Sequence, residues 1–281
     1  MRAFLAMLNP FLFQGWASST ARLAIAAGVT LAFALLARAV RGVNPSGAVA
    51  GALACFLLFA GAGPVAFAAL GTLFLMTWMS TRLGYRRKAA LGLAERREGR
   101  SAWQVLANLS AAALGSVAFS FTGSRGWLVA AVAALAEAAT DTVASEIGQV
   151  VGTNSGEHSG ENSGEHSGAN SGEDGGPHPR MITTMITTGK RVPPGTDGGV
   201  TLRGSAAGLA AGAVVAAVAS AGGMIEWRQV WIPVTVGFAG MLIDSVLGAT
   251  VQSRGWISNQ GVNLLSTLAA AALAYAVAAL T

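Results

Sequence analysis

Charge is what this sequence lacks most. Only 11% of its 281 residues are Asp, Glu, Lys or Arg, against about 25% in a soluble domain. A water-soluble fold could not cover its surface with so few charges. The 53% hydrophobic content and mean hydropathy of +0.54 exclude both an ordinary soluble enzyme and a disordered chain. What remains is an integral membrane protein.

Cysteine is nearly absent as well. Cys55 stands alone in an apolar run, so neither a disulfide nor a cysteine-built metal site is available. Of the 13 acids, five (Glu157, Glu161, Glu165, Glu173, Asp174) share one polar stretch. Glu95 and Glu98 lie in a basic loop and Glu226 in a short turn. Glu137, Asp141, Glu146, Asp197 and Asp244 remain, and all but Asp197 fall inside apolar segments. Acids there are costly and usually functional. The net charge of +5 and the isoelectric point near 10.3 would suit nucleic-acid binding. Basic loops of a membrane protein give the same total, so no nucleic-acid partner is expected.

The expected fold is all-α, a polytopic bundle of about 8 membrane helices, because crossing the hydrocarbon core takes about 20 helical residues. The apolar segments are 19–37, 46–61, 64–81, 104–122, 127–148, 204–222, 231–251 and 262–280. This divides the chain into an N-terminal interfacial segment (1–18), five membrane helices (19–148), a loop (149–203) and three further helices (204–281). The apolar run 3–16 is broken at Asn9-Pro10, which suits an interfacial helix better than a cleaved signal peptide. With the first helix entering the cytoplasm, 14 of the 18 basic residues fall on the inner side, and both termini lie outside. Gly204, Gly208 and Gly212 form a small-residue run that reads as a helix–helix seam. Residues 154–176 form an imperfect Ser-Gly-Glu repeat with His158 and His166. A mobile loop is the expectation there, with a histidine metal tract as the weaker reading.

The candidate chemistry gathers at the inner helix ends. Glu137, Asp141 and Ser145 share one face of a helix, whereas Glu146 points about 140° away from Asp141. Glu146 joins the same site only if the helix unwinds or a second helix supplies its partner. Asp244, Gly248 and Gln252 recur every four residues on another helix. Asp141, Glu146 and Asp244 are therefore candidate catalytic and Mg²⁺-binding carboxylates, Mg²⁺ being a hard cation that usually bridges phosphates. The competing reading is acids paired with arginines for packing. Between these helices run Lys190, Arg191, Gly195, Thr196, Asp197, Gly198, Gly199 and Thr201. Glycines there let backbone amides turn toward an anion, and the basic pair adds positive charge, so the run is a candidate phosphate-binding loop. Arg100, Gln104, Asn108, Arg180 and Asn263, with Asn44 and Asn259, are supporting polar groups that can equally serve as helix caps or loop residues.

Several segments together resemble one known family. They are Arg100-x-x-x-Gln104-Val-Leu-Ala-Asn108, Asp141-Thr-x-x-Ser145-Glu146-x-Gly148 and Pro179-Arg180-Met-Ile-Thr183. Further on come Gly195-Thr-Asp-Gly-Gly-Val-Thr201, Asp244-Ser-x-Leu-Gly248-Ala-Thr-x-Gln252 and Asn263. Their order and spacing resemble the DUF92 membrane proteins, a family that includes the plant phytyl-phosphate kinases. The resemblance implies phosphorylation of an isoprenoid monophosphate to its diphosphate, with CTP or another nucleoside triphosphate as donor. Under it, Asp141, Glu146 and Asp244 hold Mg²⁺, the 190–201 loop cradles donor phosphates, and Arg180 or Arg100 takes the acceptor. Two departures stand out: the enlarged repeat loop, and Gln260 where an acid is expected after Asn259. The alternatives are a transporter or flippase for an anionic lipid or solute, with acids as proton relays, and a CDP-lipid-forming transferase.

Overall fold

A computed structural model of the chain describes residues 19–154 and 182–281. The expected segment 3–16, residues 155–176 of the repeat, and Arg180 lie outside the described residues. Among the described residues, eight helices are long and apolar enough to cross a membrane. They are α1 (Ser19–Ala39), α2 (Pro45–Ala62), α3 (Pro64–Arg82), α5 (Ala102–Thr122), α6 (Gly126–Asn154), α7 (Leu202–Ala221), α8 (Trp231–Leu247) and α9 (Asn259–Ala278). The protein is thus a polytopic helical membrane protein. Proline at the first turn of α2 and α3 starts each helix without losing a bond, since those amides lack an intrahelical partner anyway.

Helix α6 is the axis of the bundle, packing against α3, α5, α7, α8 and α9. Residues 128–140, mostly Ala and Val, are buried all round. Small side chains let its neighbours approach its backbone, which is how helices gain dispersion energy in lipid. The seam with α7 illustrates this. A Cβ added at Gly204 or Gly208 would strike the carbonyl oxygens of Ala144 or Thr140, and one at Gly212 the hydroxyl of Thr140.

Two features escape hydropathy. A short helix, α4 (Tyr85–Ala90), comes after α3, and a small antiparallel sheet stands before α7. The sheet consists of β1 (Thr183–Met185), β2 (Arg191–Val192) and β3 (Gly199–Val200) in the order β2-β1-β3. Thr184 faces Arg191 on one side and Val200 on the other. The glycine-rich stretch expected as a loop is therefore pinned at both ends by strand pairing. It leans on the end of α8, where Gly248–Gln252 forms one π-helical turn, closed by Ser253 N–H donating to the Gly248 carbonyl at 3.1 Å. Gly198, with φ +76°, fits there because a Cβ would strike the Ser245 carbonyl and Ala249.

Candidate functional site

A polar cavity of about 380 Å³ opens where α5, α6, α8, α9 and the sheet meet. From α6 come Asp141, Ser145 and Glu146, from α8 Asp244, and from α5 Gln104 and Asn108, with Arg100 just ahead of that helix. The glycine-rich turn adds Gly195, Thr196, Asp197, Gly198 and Gly199; Thr201 and Asn263 are the other expected residues on the wall. Segments more than 150 residues apart in sequence thus share one wall, as in the amides of Asn108 and Asn263, which meet at 3.1 Å.

Asp244 is held in place by α9. Ser266 Oγ donates to its Oδ2 at 3.2 Å. With its amide nitrogen turned to the acceptors, Asn263 donates to the same oxygen at 3.3 Å and to the Asn259 carbonyl at 2.8 Å. Asp141 and Asp197 both act on Asp244 through charge, while Arg100 is the cation that acts on Asp141. Three carboxylates on one cavity wall, with Arg100 answering Asp141 alone, leave a local excess of negative charge, which favours a bound cation. Among the described residues no three His, Cys, Asp or Glu side chains converge as a ready-made metal cage. That still fits Mg²⁺, which takes one or two carboxylates and completes its shell with water and phosphate oxygens.

Glu146 does not join that pair, so the three-carboxylate set expected from the sequence is not assembled. Helix α6 stays unbroken through Asn154. Glu146 therefore keeps its own direction and meets a second helix, whose contribution is a cation. Lys88 of α4, 0% exposed, pairs with Glu146 Oε2 and also donates to the carbonyls of Thr81 at 3.1 Å and Ser80 at 3.4 Å. Thr81 Oγ1 donates to the other carboxylate oxygen at 3.1 Å. The single Thr81 proton is shared with the Thr77 carbonyl at 2.8 Å, while all three Lys88 protons are engaged. Nothing in the sequence pointed to Lys88, which lies 58 residues from its partner.

Three other expected residues stay off the cavity wall. Lys190 and Arg191 are exposed on the sheet, where the Arg191 guanidinium donates to the Ile182 carbonyl at 3.0 Å. Gln252 falls out of line with Asp244 because the π-helical turn inserts an extra residue, rotating the helix beyond it by about 100°. Several retained residues also have plain structural duties. Thr201 caps α7 through the Gly204 amide at 3.1 Å. Gln104 accepts from Ser101 N–H at 2.8 Å and donates to Glu95 at 3.0 Å. Asn44, outside the cavity, caps α2 through the Gly47 amide at 2.9 Å.

The cavity also has members that sequence reasoning missed. Thr183, on β1 and 3% exposed, and Gln149, on α6, both line it. Thr183 Oγ1 and Gln149 Oε1 are buried with no hydrogen-bond partner. Buried polar atoms without a partner are costly unless a ligand or water satisfies them. Thr183 belongs to the Pro179–Thr183 motif, a signal that was available; Gln149 had none. In the turn, the Thr196 and Gly199 amides donate to the carbonyls of Pro193 and Thr196. That leaves the amides of Gly195, Asp197 and Gly198 without a carbonyl partner among the described residues and free for an anion.

Comparison with known proteins agrees with the architecture. The family model described as "Integral membrane protein DUF92" matches residues 28–156 and 171–271. An uncharacterised membrane protein of Synechocystis is 30% identical over 205 residues, covering 71% of this chain and 68% of its own. The chloroplastic protein VTE6 of Arabidopsis thaliana is 28% identical over 240 residues, which is 81% of this chain and 62% of VTE6. An uncharacterised membrane protein of Methanocaldococcus jannaschii is 26% identical over 250 residues, 88% and 90% of the two chains. No solved structure matches. Because the family match takes in every residue of the polar cavity, fold and site fall together: the chain belongs to the DUF92 family of integral membrane proteins.

Proposed function

We propose that this protein is a membrane-embedded phosphotransferase. It moves the terminal phosphoryl group of a nucleoside triphosphate, CTP favoured, onto an isoprenoid (phytyl-type) monophosphate to give the diphosphate. The observation that carries the reading is the polar cavity itself. It brings Asp141 and Asp244 from two helices to face Arg100 and a glycine turn at the loop-bearing end of the bundle. The resemblance to a family that includes phytyl-phosphate kinases supplies the acceptor class.

Phosphoryl transfer asks for positioning and charge neutralisation more than covalent chemistry. Asp141 and Asp244 would hold Mg²⁺, which when bound neutralises triphosphate charge; Glu146 keeps to Lys88 and braces α4 against α6. The Asp197 and Gly198 amides and the Thr183 hydroxyl donate to donor phosphate oxygens. Arg100 fixes the acceptor monophosphate in line with the terminal phosphorus. An acceptor oxygen, already anionic, forms the new P–O bond while the bond to the bridging oxygen breaks and the nucleoside diphosphate leaves. No general base is required. Arg180 lies outside the described residues, and Lys190 and Arg191 act on the incoming nucleotide only at longer range. The excess of basic residues in the loops at this end supports a cytoplasmic face for the site, with both termini outside.

One observation favours transport instead. Glu137, one turn deeper than Asp141 on α6, is 1% exposed and its Oε1 has no partner. Proton relays use acids of this kind. A panel on detergent-purified protein with Mg²⁺ separates the readings, pairing CTP, ATP, GTP and UTP with phytyl, geranylgeranyl and longer prenyl monophosphates. A prenyl diphosphate with a nucleoside diphosphate is the expected product pair. Pyrophosphate and a nucleotide-linked lipid would instead make the protein a CDP-lipid-forming transferase. No turnover by folded protein would leave transport as the reading to pursue.

A further inference from the structure

A second cavity, of about 290 Å³, lies beside the first between α1, α2, α3, α5 and α6. We propose that it is the tail subsite, seating the single prenyl chain of a lipid monophosphate whose head lies at Arg100. This rests on the phosphotransferase reading and deepens it.

The walls differ sharply from those of the polar cavity. Phe33, Leu70, Phe74, Val105 and Leu109 supply apolar surface. Along α2, Gly47, Gly51 and Cys55 recur every four residues on the lining face; Gly47 is filled by the Arg100 backbone, and Gly51 is the position that leaves room for a chain to lie against the helix. A Cβ at Gly51 would meet nothing nearer than Val105 Cγ1 at 3.8 Å. From Leu70 to Arg82 the α3 wall runs twelve residues, or about 18 Å at the helical rise of ~1.5 Å per residue. An apolar space of this kind holds a hydrocarbon better than water, which would find too few polar partners.

The mouth is cationic. Arg41, Arg82, Arg96, Arg97 and Arg100 line it. Arg82 is engaged, donating to the Val40 carbonyl at 2.6 Å and lying 4.1 Å from the centre of the Trp78 ring. Among the described residues the salt bridges are Lys88–Glu146 and Arg228–Glu226. The other four arginines are thus not ion-paired with a described carboxylate, and they suit an anionic head group.

The two cavities adjoin across a shared wall. Glu95, Arg100, Gln104, Asn108 and Thr142 line both. A molecule with its chain against Phe33 and Phe74 and its phosphate at Arg100 therefore presents that phosphate to the Asp141–Asp244 side. Neither a soluble nucleotide, with no use for the apolar wall, nor a two-chain phospholipid matches this single channel. Phe33 and Phe74 meet edge-on with centroids 5.2 Å apart part-way down and act as a gauge of chain length.

The test uses full-length protein in nanodiscs and geranylgeranyl monophosphate carrying a diazirine at its tail end, photolysed without nucleotide and mapped by mass spectrometry. Label is expected on peptides containing Phe33, Cys55 and Leu70–Phe74, and unlabelled geranylgeranyl monophosphate should compete it away. Gly51→Leu, which fills the channel, should cut that labelling about tenfold to 100-fold. Gly71→Leu, at an open position that does not line the cavity, should leave it unchanged. Phe74→Ala, which widens the channel, should move preference from farnesyl toward geranylgeranyl and longer chains. Should Gly51→Leu fail to fold, the wild-type label map and the Phe74→Ala profile decide.

Label on these peptides without turnover in the nucleotide panel would sink the phosphotransferase reading and leave the lipid site standing. Turnover with label elsewhere, or with chain preference indifferent to Phe74→Ala, would overturn the tail subsite. So would label competed by phosphatidic acid and not by prenyl monophosphate, which would mark the cavity as a seat for a structural lipid.

Discussion

The two flanks of α6 treat their acids in opposite ways. On one flank Glu146, at the edge of the polar cavity, meets a counter-charge from the protein itself, with Lys88 on one oxygen and the Thr81 hydroxyl 3.1 Å from the other. On the other, five residues away, Asp141 faces that cavity with Asp244 and Asp197 close enough to repel one another and Arg100 as the answering cation. A buried acid in a membrane helix is thus not functional by address alone. What separates the flanks is whether the chain brings its own counter-charge, and where it does not, a ligand is the partner that completes the site.

The sharpest way to break this comparison is to neutralise one acid on each flank. Asp141→Asn keeps the shape of the side chain and removes the charge. Turnover in the nucleotide panel should fall by about 100- to 1,000-fold or more, with the unfolding temperature in detergent held or raised as the repulsion with Asp244 goes. Retained activity would remove Asp141 from the reaction, and a marked loss of stability would place it with Glu146 as a packing residue.

The opposite pattern is expected at Lys88. Lys88→Met leaves Glu146 as an unpaired buried charge, which costs about 3–5 kcal/mol, visible as a large drop in denaturant midpoint. Adding Glu146→Gln should restore most of it, since the cost is the orphaned charge rather than the lost attraction. If Lys88→Met lowers stability by less than about 1 kcal/mol, the pair is not the brace described here. If the double variant stays folded but loses all turnover, Glu146 belongs with the catalytic acids after all.

Backbone approach on the α7 side should give a somewhat smaller effect. Gly208→Leu drives a side chain into the Thr140 carbonyl, and overpacking of this kind costs about 1–3 kcal/mol. Thr140 precedes Asp141, so displacement of α6 should also depress activity. Gly71→Leu, with nothing within 4 Å of its added Cβ, is the matched control and should change neither.

The membrane helices were legible in the sequence because hydropathy and length act locally: each of the eight apolar segments became a helix with ends shifted by a few residues. The seam at Gly204, Gly208 and Gly212 was legible for the same reason. Two of the three catalytic candidates came together because their helices pack on neighbouring faces of the bundle. The rest depended on distant partners or on local irregularity. Lys88 reads as one more basic loop residue until α4 folds it under α3. Gln252 reads as in register with Asp244 until a π-helical turn shifts it. Gln104, Thr201 and Asn44 show the converse, since residues chosen for chemistry also do the routine work of capping helices.

The smallest effect belongs to the basic pair on the sheet, and it probes how far the polar cavity reaches. Lys190 and Arg191 are exposed and off the cavity wall, so replacing both by Ala removes only screened, long-range attraction for a triphosphate. Exposed charges act with about 1 kcal/mol or less, so kcat/KM for the nucleotide should fall at most about fivefold. The loss should shrink as salt rises from roughly 0.01 M to 0.15 M, where the screening length contracts from about 30 Å to about 8 Å. Arg100→Ala, by contrast, should lose activity toward the prenyl monophosphate at every salt concentration, because its guanidinium lies in the wall shared by both cavities. A salt-independent loss of tenfold or more in the Lys190→Ala, Arg191→Ala double variant would mean that the sheet closes over the nucleotide during turnover. The polar cavity would then extend past Thr183 to the outer strand of the sheet.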